Sequence, residues 1–119
     1  LLVLGMSCAS TSARDDLPPG DTLSPMMKTL RVRSRDFKRA LILENKHLFL
    51  PTARDLVSAV RELNSIEAPA TFTLHIEALV ETTEALCKAA QDRAPQDRIE
   101  VLFGNVIGTC SGCHDAFRK

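Results

Sequence analysis

Four apolar stripes with helical spacing, joined by short connections, limit what this 119-residue chain can fold into. In each stripe the apolar residues recur every three or four positions, which places them on one face of a helix. No stretch alternates apolar and polar residues over a strand length between turn signals. Because short links favour antiparallel neighbours, the sequence predicts an all-α, antiparallel up-down-up-down four-helix bundle.

The predicted helices cover residues 22–44, 51–64, 70–90 and 95–119. Pro25 suits the first turn of helix one, where Asp21 or Ser24 can act as the N-cap, and Pro51 and Pro95 begin helices two and four. The stripes predict these core positions: Leu23, Met27, Leu30, Phe37 and Leu41, with Met26 and Ala40 alongside; Ala53, Leu56, Val57, Val60 and Leu63; Phe72, Ile76, Leu79, Val80, Thr83, Leu86, Cys87 and Ala90; Ile99, Leu102, Phe103, Val106, Cys110, Cys113 and Phe117.

The start of the chain differs from the rest, so we predict a leader remnant and flexible linker over residues 1–20 and one helical domain over 21–119. Residues 1–6 form an apolar run that is too short to span a bilayer and resembles the tail of a secretory signal. Cys8 has three candidate roles: a lipidated cysteine in a lipobox-like run, a residue of the signal peptide, or a disulfide partner of Cys87. Each role predicts an exported, periplasmic protein, and the first predicts a membrane-anchored lipoprotein.

Composition and charge exclude some classes of function. The 15 basic and 15 acidic side chains balance, whereas general nucleic-acid binding needs a basic surplus. Aromatic residues make up 4% of the chain, and Trp and Tyr are absent. A buried cofactor would supply the missing apolar surface, although Leu-rich helical domains also fold without one. No carboxylate pair, Ser/His pair or phosphate loop stands out, so we do not expect an enzyme.

The run Cys110-Ser111-Gly112-Cys113-His114 carries the strongest chemical signal. Two thiols three residues apart share a helix face, and the C-x-x-C-H pattern is that of covalent c-type haem attachment. Thioether bonds from Cys110 and Cys113 would hold the ring against the helix, and His114 could then reach the iron as the proximal ligand. The sequence therefore predicts one covalent haem c with its iron.

Two other interpretations of the motif compete. A zinc site needs a fourth ligand and usually a second ligand pair, yet His47 and His75 show no metal-ligand spacing. A thioredoxin-like C-x-x-C opens a helix after a strand, whereas this one closes a helix in an all-α chain. Haem attachment is the interpretation that fits the position of the motif.

The last ten residues, Cys110-Ser111-Gly112-Cys113-His114-Asp115-Ala116-Phe117-Arg118-Lys119, resemble the end of the cytochrome c′ class of exported bacterial four-helix cytochromes. The run Ser24-Pro25-Met26-Met27-Lys28 also resembles helix one of the Met-ligated, low-spin members. The resemblance implies Cys110 and Cys113 as attachment points and His114 as proximal ligand. It places Arg118 near the proximal histidine and haem; an ordinary cation at a helix C-terminus is the alternative.

The resemblance also sets further expectations. Phe117 is expected to pack against the haem or the core. Members of the class often form homodimers through their first two helices, so a homodimer is a candidate assembly. This chain departs from typical members in its short link between helices two and three, which changes the expected cover of the haem edge.

The sixth iron position decides function. Met27, on the helix-one stripe, is the first candidate distal ligand, Met26 the second, and either could instead simply fill core volume. His75 and His47 are further candidates, although the sequence favours a partly exposed surface position for each of them. A thioether ligand favours electron transfer with redox partner proteins, whereas an open position favours binding of nitric oxide or carbon monoxide.

Two further interpretations concern the whole chain. Helix one carries a basic run, Lys28, Arg31, Arg33, Arg35, Lys38 and Arg39, which is either a solvated face or a docking patch for an acidic redox partner. A non-haem helical binding module, in which the pentapeptide is fortuitous, is the remaining alternative.

Overall fold

The computed structural model describes residues 20–117, which form four α-helices and no strand. They are α1 (Gly20–Ile42), α2 (Phe49–Asn64), α3 (Ala70–Gln91) and α4 (Gln96–Phe117), and a 3₁₀ turn (Lys46–Leu48) precedes α2. The predicted all-α class and helix order are confirmed. Cys8, the rest of residues 1–19, and Arg118 and Lys119 lie outside the described residues.

Consecutive helices form the packed pairs of the bundle: α1 with α2, α2 with α3, and α3 with α4. Because α1 and α4 run antiparallel, the first half of α1 and the last half of α4 lie at the same end of the bundle, which we call the motif end. At the opposite, far end two contacts tie α1 to α4. The ring centroids of Phe37 and Phe103 are 5.0 Å apart, and Gln96 Nε2 donates to the carbonyl oxygen of Leu41 at 3.0 Å. Elsewhere the backbones of α1 and α4 approach less closely than those of consecutive helices.

Helix boundaries differ from the predicted ones by a few residues. Since α1 already begins at Gly20, Asp21 and Ser24 lie within the helix rather than at its cap, and Pro25 lies inside it. α1 ends at Ile42 rather than 44, and α2 begins at Phe49 rather than 51. Pro51 is still in the first turn of α2, where the helix does not need its missing N–H.

The C-terminal ends of α1 and α3 share one geometry. Glu44 and Arg93 adopt left-handed backbone angles, with φ of 52° and 57°. In each case the N–H of the following residue donates a hydrogen bond back across the turn. Asn45 donates to the carbonyl oxygen of Ala40 and Ala94 to that of Ala89, both at 2.9 Å. This is the Schellman arrangement, which satisfies helix carbonyls that would otherwise lack a partner.

The core occupies the faces that the stripes predict. Phe37, Val60, Leu86 and Ile99 are each 0% exposed, so the bundle is fully closed around them. Thr83 is also buried, and its hydroxyl donates to the carbonyl of Leu79 at 2.9 Å, so its polar group has a partner. Nine of the predicted core positions are only half-buried: Leu23, Met26, Met27, Val57, Val80, Cys87, Ala90, Cys110 and Phe117.

Phe49 is a core residue that the stripes missed. It is 5% exposed and its ring lies 6.0 Å from that of Phe37. Because the sequence pattern placed the start of helix two at the proline, Phe49 fell into the predicted turn. The additional turn of helix before Pro51 is what brings its ring into the core.

Candidate functional site

Cys110, Cys113 and His114 lie in the last two turns of α4. The buried face of this helix, Ile99, Leu102, Phe103 and Val106, continues into the two cysteines. Cys113 is 8% exposed and Cys110 is half-buried, and both pack against the apolar core. His114 is exposed at the neighbouring edge of the helix. The motif therefore directs two thiols inward and presents an imidazole beside them.

Burial changes the acid–base state of the thiols. It raises the pKa of Cys113 above the ordinary value of 9.0. The pKa of Cys110 is raised as well, first by burial and then by the neighbouring Cys113. Both groups are therefore neutral thiols at pH 7. Burial thus disfavours the thiolate form of both cysteines.

The arrangement of the possible metal ligands differs from that of a zinc site. Within residues 20–117, no three side chains of the types His, Cys, Asp and Glu come together around a common ion position. Cys110, Cys113 and His114 thus do not converge on a single small ion. A macrocycle can use all three, because its two vinyl groups and its iron are separate atoms of one flat molecule.

Helix register shows which residues of α1 lie level with the motif. The Phe37–Phe103 contact fixes one level in the antiparallel pair α1 and α4. Met26 lies eleven residues before Phe37, and His114 lies eleven residues after Phe103, which is about 16 Å towards the motif end along each helix. Met26 and His114 are therefore at the same level. By the same step Met27 lies level with Cys113. Both methionines are half-buried and pack against the core, so the structure does not favour Met27 over Met26.

The motif end is covered unevenly. On the side formed by α2 and α3, the helical core residues Leu63, Phe72 and Ile76 are at most 2% exposed, while Ile66 and Ala68 in the link between these helices are half-buried. On the side formed by α1 and α4, inward-facing apolar groups are covered only in part. We call this set the open side; it consists of Leu23, Met26, Met27, Cys110 and Phe117.

The open side fits a haem. Its residues are apolar, they lie at the level of the two thiols, and they retain exposed surface that a flat apolar ring would cover. The donor set also fits, since it offers two thiols for covalent attachment, an adjacent imidazole, and thioethers on the facing helix. The chain therefore has the side chains that a covalent haem requires at one end of one bundle.

Phe117 and His75 form an aromatic contact beside the motif. The ring of Phe117 lies 5.6 Å from that of Phe72 and 5.2 Å from the imidazole of His75, with both contacts edge-on. Phe117 therefore packs against α3, and half-buried His75 is brought to the last turn of α4. His47, by contrast, is exposed in the 3₁₀ turn at the far end, which separates it from the motif.

Comparison with known protein families identifies a relationship. A sequence model of the family described as Cytochrome C′ matches residues 40–118, about two thirds of the chain. No curated protein and no solved structure matches. The matched segment contains Cys110, Cys113 and His114, and it begins after Met26 and Met27. The family match and the all-α four-helix fold agree, and the chain belongs to the cytochrome c′ family.

Proposed function

We propose that this haem c protein is an exported monohaem cytochrome of the five-coordinate kind, which binds nitric oxide or carbon monoxide. In this proposal Cys110 and Cys113 hold the haem, His114 is the one protein ligand of the iron, and no side chain takes the opposite position. The observation that carries it is the family match, which includes the attachment motif and begins after both helix-one methionines. Family membership also speaks against a fortuitous pentapeptide in a non-haem module.

The residues of α4 have distinct roles in this proposal. The thiols of Cys110 and Cys113 would hold the haem covalently, each through one thioether bond. The rigid helix holds the imidazole of His114 one residue beyond Cys113, where it can ligate the iron. The bound haem supplies an iron that changes by one electron and can take a small ligand.

The open side would line the haem site on the α1 side. Leu23, Met26 and Met27 lie on the facing helix and are partly covered already. Apolar side chains there exclude water. A small neutral gas gives up little hydration free energy on entering such a site, whereas a polar or charged ligand gives up much more. The aliphatic and thioether groups of α1 thus control access to the iron in the proposed gas binder.

Optical spectroscopy of the purified holoprotein tests the proposal. We expect a high-spin ferrous spectrum that changes when carbon monoxide is added, because the sixth position is free. A low-spin ferrous spectrum that carbon monoxide leaves unchanged, together with a methionine-to-iron charge-transfer band in the ferric form, would contradict it.

The second candidate is an electron carrier in which Met27 closes the sixth position. Its support is that Met27 is half-buried and lies level with Cys113 on the facing helix. A thioether ligand stabilises ferrous iron and raises the reduction potential. Under this candidate Met27→Ala turns a low-spin spectrum into a high-spin one, while the matched variant Met26→Ala leaves it low-spin. The five-coordinate proposal expects a high-spin spectrum from the parent and from both variants.

A further inference from the structure

The outer face of α1 carries five cations in succession: Lys28, Arg31, Arg35, Lys38 and Arg39. All five are exposed. Their spacing places them within about a quarter to a third of the helix circumference, opposite the buried stripe. We call this surface the basic face. Over residues 22–42 the helix has six basic side chains and one acidic side chain, although the whole chain is neutral.

The cations of the basic face are not neutralised within the bundle. The ion pairs among the described residues are Arg33–Asp36, Arg61–Glu84 and Lys88–Asp92, and none involves the five cations. Asp36, the one acidic residue nearby, lies 3.9 Å from Arg33 at the edge of the face. The positive potential of the face is therefore directed to solvent.

Apolar groups accompany the charges. Val32 is 46% exposed, and Ile42 and Leu43 are 69% and 66% exposed. At the end of α1, Ile42 and Leu43 line a shallow hollow of ≈ 320 Å³ together with Arg35, Lys38 and Arg39. A solvated helix face does not need three exposed aliphatic side chains beside its charges, whereas a protein-docking surface uses both kinds of group.

The charges also indicate which partner fits. A symmetric dimer through α1 would bring two sets of five cations together, and that repulsion opposes it. A basic face that binds nucleic acid generally belongs to a domain with a basic surplus, which this neutral chain lacks. An acidic protein surface complements both the charge and the flanking apolar groups.

We propose that the basic face docks an acidic redox protein that exchanges one electron with the haem. This rests on the proposed function, because carbon monoxide binds ferrous iron and the ferric form must first be reduced. The face begins beside the open side, since Lys28 and Arg31 are one and four residues from Met27. From there the face continues along α1 to the far end, so a partner docked on it contacts the helix whose first half lies level with the attachment motif.

Stopped-flow reduction of the ferric holoprotein tests this proposal. The probe donor is flavodoxin hydroquinone, an acidic flavoprotein whose anionic flavin gives one electron to the iron and becomes the neutral semiquinone. The test variant is Arg35→Glu/Lys38→Glu. The control is Arg54→Glu/Arg98→Glu, which changes the net charge equally at exposed positions on α2 and α4.

We expect the test variant to slow reduction by about tenfold or more at low ionic strength and the control by less than about threefold, because steering depends on local charge. The difference should shrink at high salt. Equal slowing of both variants, or of neither, would overturn the proposal. So would binding of the parent to anionic phosphatidylglycerol vesicles that is lost in the test variant, combined with unchanged reduction rates, since the face would then be a membrane surface.

The haem absorbance bands keep this test separate from the proposed function. A parent protein that binds no haem would contradict the proposed function and, with it, the electron exchange proposed here. Intact bands in all three proteins with equal reduction rates would overturn the docking surface alone.

Discussion

Cys110, Cys113 and His114 show how a helix can assign three neighbouring residues to different surroundings. The two thiols continue the buried stripe of α4, and the imidazole lies one step round the helix, at its exposed edge. A small ion would need all three to converge, whereas a flat macrocycle needs them spread out. The local geometry of this motif is thus a direct consequence of helical spacing.

Replacing His114 by Ala tests its role as iron ligand. We expect His114→Ala to keep covalent haem, because the thioethers do not depend on the imidazole, and to change the ferrous and ferric spectra. Added imidazole should restore the parent spectra by occupying the vacated position. His47→Ala, at an exposed site at the far end, is the control and should match the parent. Parent-like spectra from His114→Ala would show that another residue ligates the iron.

The raised thiol pKa values predict the pH dependence of alkylation in apoprotein made without haem. The thiolate is the reactive form, and burial penalises it, so less thiolate is present in the folded protein at a given pH. The iodoacetamide rate at Cys110 and Cys113 should reach half its maximum at a pH above 9.0 in the folded protein, whereas the midpoint in urea should lie near 9.0 and the rate should level off at a lower pH. Folded and urea-treated protein that level off at the same pH would contradict this.

At the residue scale the sequence predicted the motif well and the methionines less well. C-x-x-C-H is defined by adjacent residues, so a linear pattern is enough to find it. Met26 and Met27 differ by 100° around the helix, and the stripe placed Met27 inward. In the structure both are half-buried, because the apolar stripe of α1 is only partly covered at the open side and both of its edges keep exposed surface.

At the scale of elements, the apolar stripes determine each helix, and its ends depend on local turn chemistry. The α2–α3 link over residues 65–69 was predicted correctly because Pro69 sits just before α3. The ends of α1 and α3 were harder to predict, because a Schellman turn usually shows a glycine and here has Glu44 and Arg93. A residue type that rarely adopts left-handed angles gives no sequence signal for this turn.

The left-handed residue at the end of α3 gives a stability prediction. Arg93→Gly should raise the free energy of unfolding by roughly 0.5–1 kcal/mol, because glycine adopts this φ without a Cβ clash. The same change at Arg54, within α2, should lower it by about 1 kcal/mol. Urea unfolding followed by circular dichroism measures both. Destabilisation by Arg93→Gly would show that its side chain contributes more than its backbone angle costs.

At the scale of the whole molecule, short links led to the antiparallel order, and that order brings the first half of α1 to the last half of α4. The open side could not be predicted in the same way. An amphipathic stripe tells which face turns inward, and it does not tell how completely the neighbours cover that face. Packing around Phe37 and Phe103 closes the far end, while the motif end keeps apolar surface for a ring to cover.

The open side also explains the composition. A chain with 4% aromatic residues closes one end of its bundle with three phenylalanines, Phe37, Phe49 and Phe103. At the motif end the phenylalanine contact lies between α3 and α4, from Phe72 to Phe117. A haem between α1 and α4 would provide there the large flat group that the sequence lacks.

Intact mass spectrometry of the natively produced, denatured protein tests whether one haem is covalently attached at Cys110 and Cys113. Denaturation removes any non-covalent group, so we expect the mass of the polypeptide plus one haem, with Cys110 and Cys113 inaccessible to thiol reagents. A colourless protein with the mass of the polypeptide alone and both thiols free to react would contradict the account.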